Sequence, residues 1–96
     1  MGLPRYAART DGNQKAIVAA LKKIGCSVLV IGTPVDLLVG YEAKNLLIEC
    51  KIPGEKPRTK KQKDFLASWK GQVRIVESPE EAIKLVTESY SGGRGG

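Results

Sequence analysis

Apolar residues at positions 17, 18, 21 and 24 recur at the spacing of one helix face, since residues three and four apart stack on the same side of a 3.6-residue turn. Gln14 continues this stripe of Ile17, Val18, Leu21 and Ile24 toward the N-terminus, and Gly25 supplies a stop, so a helix is expected from Asp11 to Ile24. Residues 1–10, "MGLPRYAART", show no period and read as a basic arm. "CSVLVIG" predicts a strand closed by Gly32-Thr33-Pro34. "VDLLVG" predicts a second strand, "YEAKN" a polar turn and "LLIECK" a third strand, with the second and third near enough to form a hairpin. After the loop "IPGEKPR", Thr59 caps a helix whose inner face is Gln62, Phe65, Leu66 and Trp69, ended by Gly71. "QVRIVE" predicts a fourth strand. Ser78-Pro79-Glu80-Glu81 then forms a capping box opening a helix to about Tyr90, and the tail at 91–96, "SGGRGG", has nothing to bury and is expected to be disordered.

The predicted order is α-β-β-β-α-β-α, a mixed α/β (α+β) sheet in which three antiparallel strands are followed by a parallel crossover. One domain at 11–90 lies between the arm at 1–10 and the tail at 91–96. A chain of 96 residues suffices for one core without staples. The first residues lack the pattern of a signal peptide, and the apolar runs are too short to span a bilayer, so an intracellular protein with no membrane partner is expected. The two cysteines, Cys26 and Cys50, lie in apolar runs and read as buried free thiols rather than a disulfide.

Composition narrows the chemistry. The chain has no histidine, which removes Cys-His zinc sites, Ser-His-Asp triads and histidine bases. Catalysis would have to use carboxylates, lysine and a hard, oxygen-binding metal. The net charge is +6, and its excess is concentrated: Lys51, Lys56, Arg58, Lys60, Lys61 and Lys63 stand against Glu55 alone between Lys51 and Lys63. Such a run suits a polyanion, because phosphate contacts release counterions, and equally suits a solvated surface.

Asp36 opens the second strand amid apolar neighbours, and Glu49 and Lys51 share one side of the third by strand alternation. If these strands pair, Asp36 and Glu49 can face each other near one end of the hairpin. Two carboxylates so placed repel, and a cation between them resolves the conflict; ligands made only of oxygen favour Mg²⁺ or Mn²⁺. The spacing alone is equally compatible with an edge-strand ion pair of Glu49 and Lys51 and a turn residue at Asp36.

"PVDLLVG" followed by "NLLIECK" resembles the PD-(D/E)xK nuclease signature, on an element order similar to that superfamily's. More narrowly, about Asp11 to Val86 resembles the VRR-NUC family, particularly its small stand-alone phage and bacterial members, down to the closing "VRIVESPEEAIKLV". Val35 stands between Pro34 and Asp36, where the usual pattern sets proline directly before the aspartate, and Gln14 occupies a position where the family has Glu or Gln. The resemblance implies a restriction-endonuclease-like core and a Mg²⁺- or Mn²⁺-dependent DNA endonuclease. It implies Asp36 and Glu49 as metal ligands with the Cys50 main-chain carbonyl as a third, and Gln14 reaching the metal directly or through water. Lys51 would be the catalytic lysine and Gln62 the second-helix glutamine near the site. Gln14 also reads as a helix-surface residue, and Gln62 as a solvated neighbour of the lysines. The stand-alone members are similar to Holliday junction resolvases, which implies a homodimer acting on branched DNA in a bacterial or phage-infected cell. The region around Leu3-Pro4-Tyr6 or the exposed parts of strands and helices would form the interface. Lys56, Arg58, Lys60, Lys61 and Lys63 would follow the phosphates. The alternatives are a monomeric nuclease for flap or linear DNA and a non-catalytic, basic DNA-binding module.

Overall fold

The computed structural model describes residues 4–54 and 59–91, with side chains over 13–54 and 59–88. Helix α1 runs Pro4–Lys23, followed by β1 (Ser27–Val30), β2 (Leu37–Tyr41), β3 (Lys44–Cys50), α2 (Lys60–Ser68), β4 (Val73–Val76) and α3 (Pro79–Ser91). This is the element order expected from the hydrophobic pattern. The strands form one sheet in the order β1-β2-β3-β4, with β1, β2 and β3 antiparallel and β4 parallel to β3.

Helix α1 begins at Pro4 rather than Asp11, and so takes in part of what reads as an arm. Proline is tolerated at a first helical position, Ala7 and Ala8 are strong helix formers, and Gly12 weakens a helix by only about 1 kcal/mol without breaking it. Its end follows the sequence closely. Gly25, at φ +101°, lets the Cys26 amide donate to the Leu21 carbonyl and its own amide to the Lys22 carbonyl, the paired bonds of a Schellman stop.

The β2–β3 turn is tighter than "YEAKN" suggests. Tyr41 pairs with Lys44, leaving only Glu42 and Ala43 in the loop, at φ 49° and 67°. Two positive φ values match the twist of a two-residue hairpin. The sequence hides this because neither residue is the glycine or asparagine that usually marks such a turn.

Helix α2 is capped as expected, the Gln62 amide donating to Thr59 Oγ1 at 3.1 Å, but it ends at Ser68, before Trp69. The inner face expected of Gln62, Phe65, Leu66 and Trp69 is not a buried one, for no residue of α2 is buried. Trp69 leaves the helix at ψ 127° and turns its indole over Gly71, where a Cβ would come within 2.8 Å of Nε1. Gly71 thus makes room for the tryptophan instead of ending the helix.

The core lies on one face of the sheet. Strand alternation turns Leu37, Val39, Leu46, Ile48 and Val76 toward Ile17 and Leu21 of α1 and Ala82 and Val86 of α3, all buried. Each fully buried side chain of this size contributes about 1.5–3 kcal/mol relative to exposure. The Glu81 amide donates to Ser78 Oγ at the start of α3, while Glu81 Oε1 accepts from the Glu77 amide at 2.6 Å, one residue before the cap. No helix among the described residues is long and apolar enough to cross a membrane.

Candidate functional site

The antiparallel register pairs Leu37 with Ile48 as the last rung of β2 and β3. Continued one step, it sets Asp36 opposite Glu49, where paired side chains share a face with Cβ atoms about 4.5–5.5 Å apart. Asp36 is held from both of its ends. Its carbonyl accepts from the amides of Ile31 and Gly32 at 2.8 and 3.2 Å, which closes the β1–β2 loop. Its Oδ2 accepts from the Cys50 amide at 2.8 Å, so the carboxylate continues the ladder where the β2 backbone has ended. Gly32 sits at φ +79°, a left-handed geometry that favours glycine.

Glu49 keeps only 5% of its surface, and it is the buried charged side chain of the described core. Asp36 bonds the Cys50 amide, and Glu49 precedes Cys50 in β3. Burial, then the negative charge of Asp36, then that of Glu49 push the Cys50 thiol up to about 12. Cys26 is raised too, by burial, and both cysteines are free thiols.

Lys51 lies just past the end of β3. Its amide donates to the Val76 carbonyl at 2.9 Å, extending the parallel ladder, and its Nζ lies 3.4 Å from Glu77 Oε2. The Glu77 carbonyl in turn accepts from Asn13 Nδ2 at 3.1 Å, tying α1 to this end of the sheet. Neither Glu77 nor Asn13 stands out in the sequence. The parallel register that pairs Cys50 with Val76 is what brings Glu77 beside Lys51, and only the three-dimensional pairing reveals it.

Gln62 and Asp36 line a common cavity of about 500 Å³ together with Lys61 and Phe65. Gln14 is half-buried on α1, next in sequence to Asn13. Lys60 pairs with Asp64 one turn along the exposed side of α2 at 3.1 Å, and Lys63 is exposed. Lys56 and Arg58 lie outside the described residues, as do residues 92–96 of the expected tail and Leu3; the side chains of Pro4 and Tyr6 are likewise not described.

No group of three or more His, Cys, Asp or Glu side chains among the described residues is arranged to hold a metal ion. The candidate oxygen donors that the β2–β3 register, continued one step, brings to one end of the hairpin are the Asp36 and Glu49 carboxylates. That set fits Mg²⁺, which is commonly bound through one or two carboxylates with waters and phosphate oxygens completing the shell. It does not suit zinc, whose structural sites use four protein ligands, mostly sulfur and imidazole. Comparison with protein-family models, with curated proteins and with solved structures finds no match for this chain.

Proposed function

We propose that this protein is a Mg²⁺- or Mn²⁺-dependent endonuclease for branched DNA, with a restriction-endonuclease-like core, acting as a homodimer on four-way junctions. What supports it is the β2–β3 register, which continued one step past Leu37–Ile48 brings Asp36 opposite Glu49, together with the bond from the Cys50 amide to Asp36 Oδ2 and Lys51 immediately beyond. The VRR-NUC-like order of these residues in the sequence supports the same assignment, and the net charge of +6 suits a phosphate backbone.

Asp36 and Glu49 would hold the cation, with the Cys50 main-chain carbonyl beside them. When bound, the cation supplies Lewis-acid polarisation of the phosphate and a water of lowered pKa. The chain's own groups do the rest. Glu49 stands on β3 and Asp36 directly before β2, tied by its carbonyl to Ile31 and Gly32 and by its side chain to Cys50, so both carboxylates have rigid support. Lys51 brings an ammonium to the edge of the site, where it offsets negative charge accumulating on the phosphate and orients the attacking water. Gln62, across the cavity from Asp36, offers an amide to the substrate. Two such sites related by a two-fold axis would nick a junction symmetrically.

The test is incubation with matched junction, flap and duplex DNAs with and without Mn²⁺. Cleavage should require Mg²⁺ or Mn²⁺, stop in EDTA and not be restored by Zn²⁺. Cutting that persists in EDTA would sink the mechanism, and a strict monomer that nicks flaps as readily as junctions would leave the monomeric nuclease in its place.

A further inference from the structure

The cavity beside Asp36 has a composition that the cleavage chemistry does not explain. The loop at 32–34 forms one wall, and Thr59, Lys61, Gln62 and Phe65 of the α2 segment form the other. Pro34 and Phe65 contribute flat apolar surfaces, Gln62 a side chain that both donates and accepts hydrogen bonds, and Lys61 an exposed cation. Phe65 is the only phenylalanine of the chain and Trp69 the only tryptophan. Their rings form a tilted pair with centroids 5.1 Å apart, on a helix that buries none of its residues. An aromatic pair kept out of the core, with the Phe65 ring lining the cavity, is available to a ligand.

We infer that this cavity receives one unstacked nucleotide of a DNA strand, its base against Phe65 and its phosphate on Lys61, next to Asp36. The inference deepens the nuclease assignment and rests on it for the identity of the substrate. A volume of about 500 Å³ falls within the roughly 300–1,000 Å³ of small-molecule sites. A planar apolar face, a hydrogen-bonding edge and an anionic group are the three features of a nucleotide, and the lining offers a partner for each. A simple anion would meet Asp36 with only Lys61 to balance it. A base within a duplex hides both faces in the stack, so only an unpaired or splayed nucleotide can present its ring to Phe65. Such nucleotides occur at branch points and in single strands. Base–aromatic stacking also tolerates any sequence, which suits recognition of DNA structure over base identity.

Trp69 makes the test direct, because its emission reports on the ring next to it. The full-length protein in EDTA, where no cleavage is needed, is titrated with a ten-residue oligothymidylate. Tryptophan emission and the anisotropy of the labelled strand are followed together. Saturable quenching is expected with the oligothymidylate, and none with an abasic phosphodiester of equal length. Phe65→Ala and Phe65→Leu should each weaken binding by roughly tenfold or more, and Phe65→Tyr, which keeps a ring, should restore it. Lys61→Ala should weaken binding several-fold and lower the salt slope by about one. Equal quenching by the abasic strand, unchanged affinity in Phe65→Leu, duplex bound as tightly as single strand, or thymidine monophosphate bound as tightly as the oligomer would each overturn the proposal. The two assignments fail separately: a protein that quenches but never cuts keeps the nucleotide site and loses the nuclease, and one that cuts with unchanged Trp69 emission does the reverse.

Discussion

Leu37, Val39, Leu46 and Ile48, on the sheet face toward α1 and α3, are closed to solvent, whereas Leu29 and Ile75 on the opposite face keep 61% and 43% of their surface. Alternation along the same strands produces both faces, so their backbones are equally regular. The difference lies in what covers them. Two amphipathic helices seal the first over β2 and β3, leaving Val30 at the end of β1 60% exposed, while α2, which buries nothing, shares a cavity with Asp36 and the loop before it. The sealed face supplies rigidity; Asp36 lines the cavity, while Glu49 points away from the sealed face by alternation yet keeps only 5% of its surface.

The sharpest way to separate the two roles is Lys51→Ala. Turnover on DNA should fall by a factor on the order of 10²–10⁴, with DNA binding retained and the fold intact, since its pair with Glu77 is partly exposed and contributes little to stability. Binding lost in step with turnover would instead favour the non-catalytic module. Next in size is the contrast between faces. Leu37→Ala should cost about 2–5 kcal/mol by denaturant unfolding, and Leu29→Ala no more than about 0.5 kcal/mol. Similar costs for the two would mean that the open face is covered in solution, as a dimer through that face would cover it.

The smallest effect concerns the thiol at the boundary. The folded state holds Cys50 at about 12, above its ordinary value of 9.0, so it prefers the protonated form. Its contribution to stability is therefore fully present below about pH 9 and is lost as the pH rises from there toward 12, because the unfolded chain releases that proton first. Melting curves of the protein and of Cys50→Ala should approach one another over the accessible alkaline part of that range. A constant gap between them would show that burial, with the nearby carboxylates, does not raise the thiol as far as about 12.

Much of this arrangement was legible in the residues. The stripe of Ile17 and Leu21, the Thr59 cap, the Ser78 cap and the alternation of β2 and β3 are local signals, and each lies within the element it predicts, although α1 starts seven residues earlier than expected. The antiparallel pairing of β2 with β3 was readable because hairpin pairing follows from short-range order. Glu77 was not, since a parallel pairing across an intervening helix leaves no mark in the local pattern. The misjudged ends have the same origin. Trp69 looks like a helix-face residue by spacing, but its indole found room over Gly71, and the tight turn at Glu42-Ala43 is imposed by the strands it joins instead of by its own residues.

The register that, continued one step, sets Asp36 opposite Glu49 belongs to strand pairing, and under the proposed function this would make activity a gauge of correct assembly. A slip of β2 by a single residue would turn Asp36 to the opposite face from Glu49, and would also move Leu37 and Val39 out of the core. A misregistered molecule would therefore be silent rather than slow. The specific activity of a preparation would then count its correctly folded fraction, so a folding defect would appear as fewer active molecules with unchanged turnover in each.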